Sequence, residues 1–353
     1  MYTLLPLAAL AGLASASCLH GTSYLPRRST GNNTIEVAKF GYTGTTGPVL
    51  WDSLSADNVA CSAGRFQSPI NIADSSIATA PNPTSYTLPT GPLTFENLGS
   101  TVEVLSEASG NTSALTFDGK AYSLKQFHFH TPAEHRVSDE HYPLEMHMVH
   151  EAPSDGSLVV VALLFDLSTT AATPLVKALA AALPAIANPG TATPLGEAAD
   201  MADIAKHITS TPLRAYAGSL TTPPCKEGVT FLLATEPLPL DVESYNAFKR
   251  VVKFNARFSQ GALGEENLLR VFAKENEGRQ RAAANETPAS GAEEAPATSA
   301  PPALPEGQGE GDAATVPVGG GPGPVTEGAV STLDGPRATP AARVRRGRWA
   351  GRE

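Results

Sequence analysis

Three histidines in two short stretches form the pattern in this chain that is best suited to chemistry. In Gln126–His130 polar and aromatic residues alternate with the period of a β-strand, so His128 and His130 lie on one face. Glu145–Val149 alternates in the same way and places His147 on one face of a second predicted strand. Two imidazoles on one strand and a third on its neighbour make a facial set of three nitrogens.

Three neutral nitrogen ligands are typical of catalytic zinc, where the fourth position is left to water. Because such ligands leave the charge of the metal undiminished, they favour a strongly acidified water molecule. Gln126 lies two residues before His128. Glu145 stands in the same relation to His147, so each side chain can hold the ring nitrogen that the metal does not use. The alternative interpretation is three ordinary core or surface histidines, because a single His-x-His pair is common on strands.

Length and composition indicate an exported globular protein. The chain has 353 residues, enough for one large domain or two ordinary ones, and its net charge of −10 argues against nucleic-acid binding. Met1–Ala16 contains an apolar run that ends in Ala-Ser-Ala, which predicts a signal peptide although the usual basic start is missing. The run is too short to span a bilayer, and no other stretch reaches membrane length, so we expect a secreted, extracellular protein without a transmembrane segment.

Secretion changes the interpretation of the three cysteines. In an oxidising compartment two of them should pair, and we expect the pair to be Cys61 and Cys225, which lie inside the predicted folded region. Cys18 is left over, either free or paired with a partner that the sequence does not identify. Three Asn-x-Ser/Thr sequons stand in polar surroundings and are candidates for glycosylation, namely Asn32, Asn111 and Asn285.

The rest of the chain reads as strands with only a few helices. Short alternating runs and near-continuous apolar runs predict strands at Thr101–Leu105, Ala114–Phe117, Leu158–Phe165 and Val229–Ala234. Apolar residues at helical spacing predict helices over Pro174–Ile186 and Asp241–Arg257. Without a regular βαβ alternation, this pattern predicts a mainly β (α+β) single domain over residues 34–274.

Both ends of the chain are expected to lie outside this domain. Residues 17–33 form an N-terminal extension after the predicted signal peptide. Residues 275–353 are rich in Ala, Gly, Pro and Glu, and the stretch Asn276–Ala342 has no aromatic residue, so we expect a disordered tail. Arg343–Trp349 gives the tail a basic end, which is either a solvated terminus or a contact for an anionic surface such as cell-wall polymer.

The motifs, taken in order, resemble those of the α-class carbonic anhydrases, most closely the secreted fungal and bacterial members. The matching motifs are Phe40-Gly-Tyr42, Cys61, Gln67–Asn71, Gln126–His130, Glu134-His135, Glu145–His150, Gly218–Pro224 and Asn255-x-Arg257. The resemblance implies one domain around a large twisted, mostly antiparallel sheet of about ten strands with a few short surface helices. It also implies a zinc ion at the bottom of a cleft and reversible hydration of CO2 to bicarbonate and a proton by zinc-bound hydroxide.

The resemblance assigns roles to individual residues. His128, His130 and His147 would hold the metal, with Gln126 and Glu145 behind them. Thr221 would accept a hydrogen bond from the hydroxide and donate its own hydroxyl hydrogen to Glu134, which orients the nucleophile. Thr222 matches a residue that contacts bicarbonate, and the apolar wall beside CO2 is matched by Val149, Val160, Leu220 and Val229. Cys61 and Cys225 match the extracellular disulfide of the family.

One departure from the family concerns proton transfer. Fast members carry a histidine on the cleft wall in an Asn-Asn-Gly-His setting, whereas Asn97–Ser100 places Ser100 at that position. The serine hydroxyl does not gain or lose a proton near neutral pH, so the usual shuttle is absent and turnover should be limited by proton export when buffer is scarce. The histidines that could substitute are His141, His150 and His207, of which His150 faces away from His147.

Two other functions are compatible with the same pattern. A carbonic-anhydrase-like binding module would keep the fold without the activity, but such relatives usually lose a zinc histidine, and this chain keeps all three. A zinc esterase would use the same activated water, but the chain shows nothing that resembles an insertion for a larger substrate. Carbonic anhydrase activity is therefore the leading hypothesis.

Overall fold

The computed structural model of the chain describes residues 35–285 except 74–76, 90–92, 107–112 and 196–199. The strands are β1 Asn71–Ile72, β2 Thr79–Ala80, β3 Ser85–Thr87, β4 Leu93–Asn97, β5 Val102–Leu105, β6 Ala114–Phe117, β7 Lys120–His130, β8 Arg136–Val137, β9 Leu144–Glu151, β10 Leu158–Leu167, β11 Ala192–Leu195, β12 Leu213–Ser219 and β13 Glu227–Leu240. The helices are α1 Trp51–Leu54, α2 Ala60–Ala63, α3 Pro174–Ala182, α4 Ala202–Ser210, α5 Val242–Val252 and α6 Leu268–Asn285. Short 3-10 turns cover Gly44–Thr46, Ala56–Val59 and Leu183–Ile186.

One large sheet dominates the part of the chain that the structure describes. It has eleven strands, nine of them in the order β11-β4-β5-β7-β9-β10-β13-β12-β2, with β6 pairing both β7 and β3. Its neighbouring strands run antiparallel except for β10 and β13, which pair in parallel. The separate β1 and β8 form a small parallel pair. The predicted fold class, a mainly β domain around a large and mostly antiparallel sheet with few helices, is confirmed.

The two faces of this sheet bury different material. On one face Phe127 and Phe129 of β7 join a large apolar cluster that is covered by α3 and α5. On the other face a smaller cluster contains Val149, Val160 and Phe231. Because side chains alternate along each strand, β7 and β9 contribute to both faces at once. The strand period therefore places the histidines and the phenylalanines of β7 on opposite faces of the sheet.

The predicted helices form, with one change of boundary. Pro174–Ile186 becomes α3 followed by a 3-10 turn. The helix predicted over Asp241–Arg257 begins as expected, because the Asp241 carboxylate accepts a hydrogen bond from Ser244 N at 2.9 Å. The prediction of its end was wrong: α5 stops at Val252, and Lys253 adopts a φ of 60°. The residues after Lys253 are thereby released from the helix and run toward the histidines.

Helix α6 runs across the predicted domain boundary at Lys274. Helix α6 covers Leu268–Asn285, so it begins before that position and continues past it. Helix-favouring Ala, Arg, Lys, Glu and Gln fill this segment, so α6 forms with most of its surface exposed. No helix among the residues 35–285 that the structure describes is long and apolar enough to cross a bilayer.

The predicted disulfide between Cys61 and Cys225 is present, and it packs with Trp51 in a third buried cluster. Several other predictions lie outside the described residues. These are the signal peptide over 1–16, the extension over 17–33, Cys18, the sequons at Asn32 and Asn111, the side chain of Asn285, and the tail beyond residue 285.

Candidate metal centre

The structure brings the three predicted metal ligands together. His128 and His147 are direct cross-strand partners on β7 and β9, and His130 follows on the same face of β7. One ring nitrogen from each histidine lies within 4.8 Å of the others. All three side chains are buried, with 4%, 0% and 2% of their surface exposed for His128, His130 and His147.

Hydrogen bonds determine which nitrogen of each ring is available. The Nδ1 of His128 lies 2.9 Å from Gln126 Oε1, and the Nδ1 of His130 lies 2.9 Å from the Asn255 carbonyl oxygen. Both acceptors lack a proton, so each Nδ1 carries the hydrogen and each Nε2 keeps a lone pair. Sequence reasoning identified the contact of Gln126 with His128 but missed Asn255, which contributes a backbone atom.

His147 uses the opposite nitrogen. Its Nε2 donates to Glu145 Oε1 at 2.7 Å, so its Nδ1 keeps the lone pair. Within the described part of the chain, the buried Nε2 of His130 has no hydrogen-bond partner. An unpaired nitrogen is costly to bury, and a metal ion would satisfy it. One ring nitrogen of each histidine lies within 4.8 Å of the others, and three imidazoles are a donor set that suits zinc, so the residues fit the predicted metal.

The electrostatic surroundings keep these rings neutral. Burial lowers the pKa of His130 to about 4. The pKa of His128 is lowered well below its usual value by burial and by the neighbouring His130 and His147. Burial also lowers the pKa of His147, although Glu145 opposes the shift. Neutral imidazoles are the form that binds metal, so the site is in its binding state at pH 7.

A second group of potential ligands, formed by His135, Glu145 and His147, overlaps the first. Glu145 Oε1 accepts from His135 Nδ1 at 2.6 Å as well as from His147, and its Oε2 accepts the backbone N–H groups of Glu134 and His135. His135 Nε2 lies 2.6 Å from the Tyr216 hydroxyl. Apart from His147 Nδ1, which belongs to the first group, every polar side-chain atom of this group is therefore engaged. It supports the first group and leaves no open position for an ion.

Glu134 lies between the histidines and the end of the chain segment that follows α5. Its Oε1 accepts the backbone N–H of Arg257 at 2.8 Å, and its Oε2 lies 4.0 Å from His147 Nδ1. Burial raises the pKa of Glu134 to about 7, against the lowering influence of His147 and of the nearby Thr221 hydroxyl. Among the described residues Oε2 has no hydrogen-bond partner, so one acceptor position of Glu134 is unfilled.

The remaining predicted site residues are buried near this centre or stand apart from it. Val149, Val160, Leu220 and Val229 belong to one apolar cluster, and Val149 pairs directly with Val160. Thr222 is buried beside Thr221. Ser100 is also buried, and its hydroxyl has no partner within the part of the chain that is described.

The three other histidines named for proton transfer have different surroundings. His150 is fully buried with its Nε2 3.3 Å from the Tyr86 hydroxyl. His207 bonds the Glu236 carbonyl at 2.9 Å, and His141 is exposed. Neither His150 nor His207 shares the ligand cluster, so their contacts are those of structural residues.

Comparison with known proteins agrees with this geometry. The family described as eukaryotic-type carbonic anhydrase matches residues 46–277. A carbonic anhydrase of Pectobacterium atrosepticum is 34% identical over 215 residues, which cover 60% of this chain and 83% of that protein. The solved structure of a fungal alpha carbonic anhydrase from Aspergillus oryzae is 41% identical with a TM-score of 0.62, and covers 67% of this chain and 99% of its own.

A second solved structure extends the comparison to a bacterial protein. The alpha carbonic anhydrase of Thermovibrio ammonificans, in complex with the inhibitor sulfanilamide, is 32% identical with a TM-score of 0.58. It covers 65% of this chain and 97% of its own. The matched family region contains β7, β9 and every residue of the candidate centre. The chain belongs to the eukaryotic-type carbonic anhydrase family.

Proposed function

We propose that this protein is a zinc-dependent carbonic anhydrase that interconverts CO2 with bicarbonate and a proton. The observation that carries the proposal is the ligand geometry. Three neutral imidazole nitrogens lie within 4.8 Å of one another, and each ring is oriented by a separate acceptor. When bound there, zinc supplies a nucleophile from water at neutral pH.

Thr221 and Glu134 would orient that nucleophile. Arg257 N–H already occupies one oxygen of Glu134, which leaves the second oxygen to accept the Thr221 hydroxyl hydrogen. Thr221 would then have only lone pairs to offer, so it would accept a hydrogen bond at this position and orient the nucleophile that a bound metal would supply. The contribution is one of geometry, which can account for a large part of a catalytic barrier. Ligands without a proton to donate would be disfavoured at the same position.

The substrate itself needs little recognition. CO2 is small and apolar, and the buried cluster that contains Val149, Val160, Leu220 and Val229 offers it a dry surface. Thr222 stands next to Thr221 and would contact bicarbonate. Ser100, which stands where the resemblance places the proton carrier, is not titratable near neutral pH. We therefore assign proton export to soluble buffer.

We also propose the compartment and the domain limits. The buried disulfide between Cys61 and Cys225 supports an oxidising environment, in agreement with a signal peptide over residues 1–16 and with secretion. The catalytic domain would extend from about residue 34 into α6, with an N-terminal extension before it and a basic-ended tail after it. Asn32, Asn111 and Asn285 remain the candidate glycosylation sites.

One experiment tests the proposed function. Zinc content and CO2 hydration are measured for the wild-type protein and for His130→Ala. We expect one zinc per wild-type chain and catalysed hydration, and loss of both in the variant. Protein that contains no zinc, or hydration that is unchanged by His130→Ala, would falsify the proposal. Zinc binding with ester hydrolysis but no CO2 hydration would point to an esterase.

A further inference from the structure

Arg257 belongs to a sequence motif to which the proposed reaction assigns no role. Its side chain is a large buried cation with 2% of its surface exposed. Its NH1 donates to the Ser68 carbonyl at 2.7 Å, and its NH2 donates to the Cys61 carbonyl at 3.1 Å and to Gln67 Oε1 at 3.0 Å. The guanidinium also lies over the Trp51 ring, with Cζ 5.6 Å from the ring centroid.

The cost of burying this charge argues for a role that a neutral side chain could not fill. Within the described residues its hydrogen-bond partners are neutral, and none is a carboxylate at ion-pair distance. Removing a charged group from water is expensive even when it is hydrogen-bonded. Electrostatic interaction with the Glu134 carboxyl group, and more weakly with Tyr42, raises the pKa of Arg257 against the larger lowering effect of burial. The backbone of Arg257 donates directly to that carboxylate at 2.8 Å.

The contacts of Arg257 also lead toward Thr221, the residue that would orient the nucleophile together with Glu134. Gln67 accepts from Arg257 and donates to the Cys225 carbonyl at 3.0 Å, while Cys61 is joined to Cys225 by the disulfide. Cys225 N donates to the Thr222 carbonyl at 2.8 Å, which closes the turn that follows Thr221. One side chain is thus tied to both ends of the disulfide, and through it to the turn that carries the threonines.

We propose that Arg257 is a positioning residue that keeps the Glu134 carboxyl group aligned with the Thr221 hydroxyl. Its backbone fixes the carboxylate, and its guanidinium fixes that backbone relative to Gln67 and the disulfide. Among the described residues none of the hydrogen bonds of Arg257 reaches a metal ligand or the substrate wall, so it acts through Glu134. This inference rests on the proposed function. It adds a residue that connects the segment of Glu134 with the segment of Thr221, which the proposed reaction requires to be aligned.

The test uses the full-length, zinc-loaded protein with Arg257→Lys and Arg257→Gln. The matched controls are Arg250→Lys and Arg250→Gln, because Arg250 is exposed on α5. Bound zinc, the thermal midpoint, kcat and KM for CO2 hydration in saturating buffer, and inhibition by iodide are measured for each protein. Iodide is the probe for discrimination because it has no proton to donate to Thr221.

We expect kcat per bound zinc to fall between about tenfold and about a hundredfold in Arg257→Gln, less in Arg257→Lys, with KM and zinc content unchanged. Iodide should inhibit the Arg257 variants more strongly than the wild type, since the misaligned relay no longer disfavours it. The Arg250 variants should match the wild type in every measurement. If Arg257→Gln lowers only the thermal midpoint and keeps the wild-type kcat per zinc, Arg257 is merely structural and the inference is wrong.

A double-mutant cycle covers the case in which Arg257→Gln does not fold. Arg257→Lys is combined with Glu134→Gln, and the fold-change in kcat is compared in the two backgrounds. Action through Glu134 predicts that the loss caused by Arg257→Lys shrinks to less than about twofold when Glu134 is already replaced. Independent, multiplying losses overturn the inference. If the wild-type protein does not hydrate CO2, the proposed function is wrong as well. If the wild type is active and the Arg257 variants keep its kcat, only the positioning role of Arg257 is wrong.

Discussion

The two faces of the β7–β9 strand pair are equally buried but are organised in different ways. One face carries Phe127, Phe129, Met146 and Met148, all with 0% of their surface exposed. The other carries the three histidines with Gln126 and Glu145, and one ring N–H of each histidine is directed at a named acceptor. Apolar packing depends on volume, so it tolerates similar shapes. Hydrogen-bonded packing depends on direction, so it tolerates few substitutions.

The largest expected effect separates stability from activity on the apolar face. Phe129 packs against Phe248 with ring centroids 4.7 Å apart. Phe129→Ala should lower the free energy of unfolding by about 3–5 kcal/mol, because it removes buried area and leaves a cavity. Denaturant unfolding measures this loss, and kcat per folded, zinc-loaded molecule should stay near the wild-type value. A fall in kcat larger than the fall in folded fraction would show that the two faces are coupled.

The corresponding change on the polar face should weaken zinc binding and have little effect on stability. Gln126→Ala removes the acceptor that fixes the ring of His128, so zinc affinity should fall by about 10–100-fold. Competition with a chelator of known affinity measures the change. Gln126→Glu keeps an acceptor at the same position and serves as the control, with a smaller loss expected. Equal losses from both variants would contradict a role in orienting the ring.

A pH experiment tests the buried histidine that takes no part in the site. Burial lowers the pKa of His150 to about 4, below its usual value. The unfolded chain therefore binds more protons between about pH 6.5 and about pH 4, and stability is lost as pH falls through this window. His150→Gln should remove about 2 kcal/mol of that acid-induced loss.

The measurement is the free energy of unfolding at several pH values. His141→Gln is the matched control because His141 is exposed. The prediction is wrong if the His150→Gln and wild-type proteins lose stability with the same slope.

The smallest expected effect concerns the edge of the polar face, where Ser100 stands in place of a titratable group. CO2 hydration at low buffer concentration should rise several-fold, and up to about tenfold, when imidazole is added, since proton export then no longer limits turnover. Ser100→His should reduce this dependence on buffer. A wild-type rate that is as high without buffer as with it would reveal another internal proton carrier.

The sequence was sufficient for the parts of the molecule that depend on local periodicity. Alternation in Gln126–His130 and Glu145–Val149 predicted two strands and the shared face of the histidines, because a period of two leaves no other arrangement. The disulfide between Cys61 and Cys225 followed from position and compartment. The pairing of Leu105 with Gln126, and of most other distant neighbours, has no such local signal.

Other parts could not be predicted because their determinants are not side-chain types. The Asn255 carbonyl orients His130 from 125 residues away, and any residue can supply a carbonyl. The helix predicted to reach Arg257 stops at Val252 because the backbone at Lys253 takes a positive φ, which no pattern in a lysine-containing stretch announces. Helix α6 was not predicted at all, because an exposed helix needs propensity and little apolar patterning.

The distance along the chain between the parts of the site has a consequence for folding. His128 and His147 meet through an antiparallel pairing of strands that are close in sequence, so closing the loop between them costs little conformational entropy. Asn255 and Arg257 reach the same place only after β13 has paired in parallel with β10 and α5 has ended. Local contacts generally form before distant ones. We therefore expect the three histidine ligands to come together early in folding and the alignment of Glu134 with Thr221 to form last. A nearly folded molecule would then bind zinc before it can hydrate CO2.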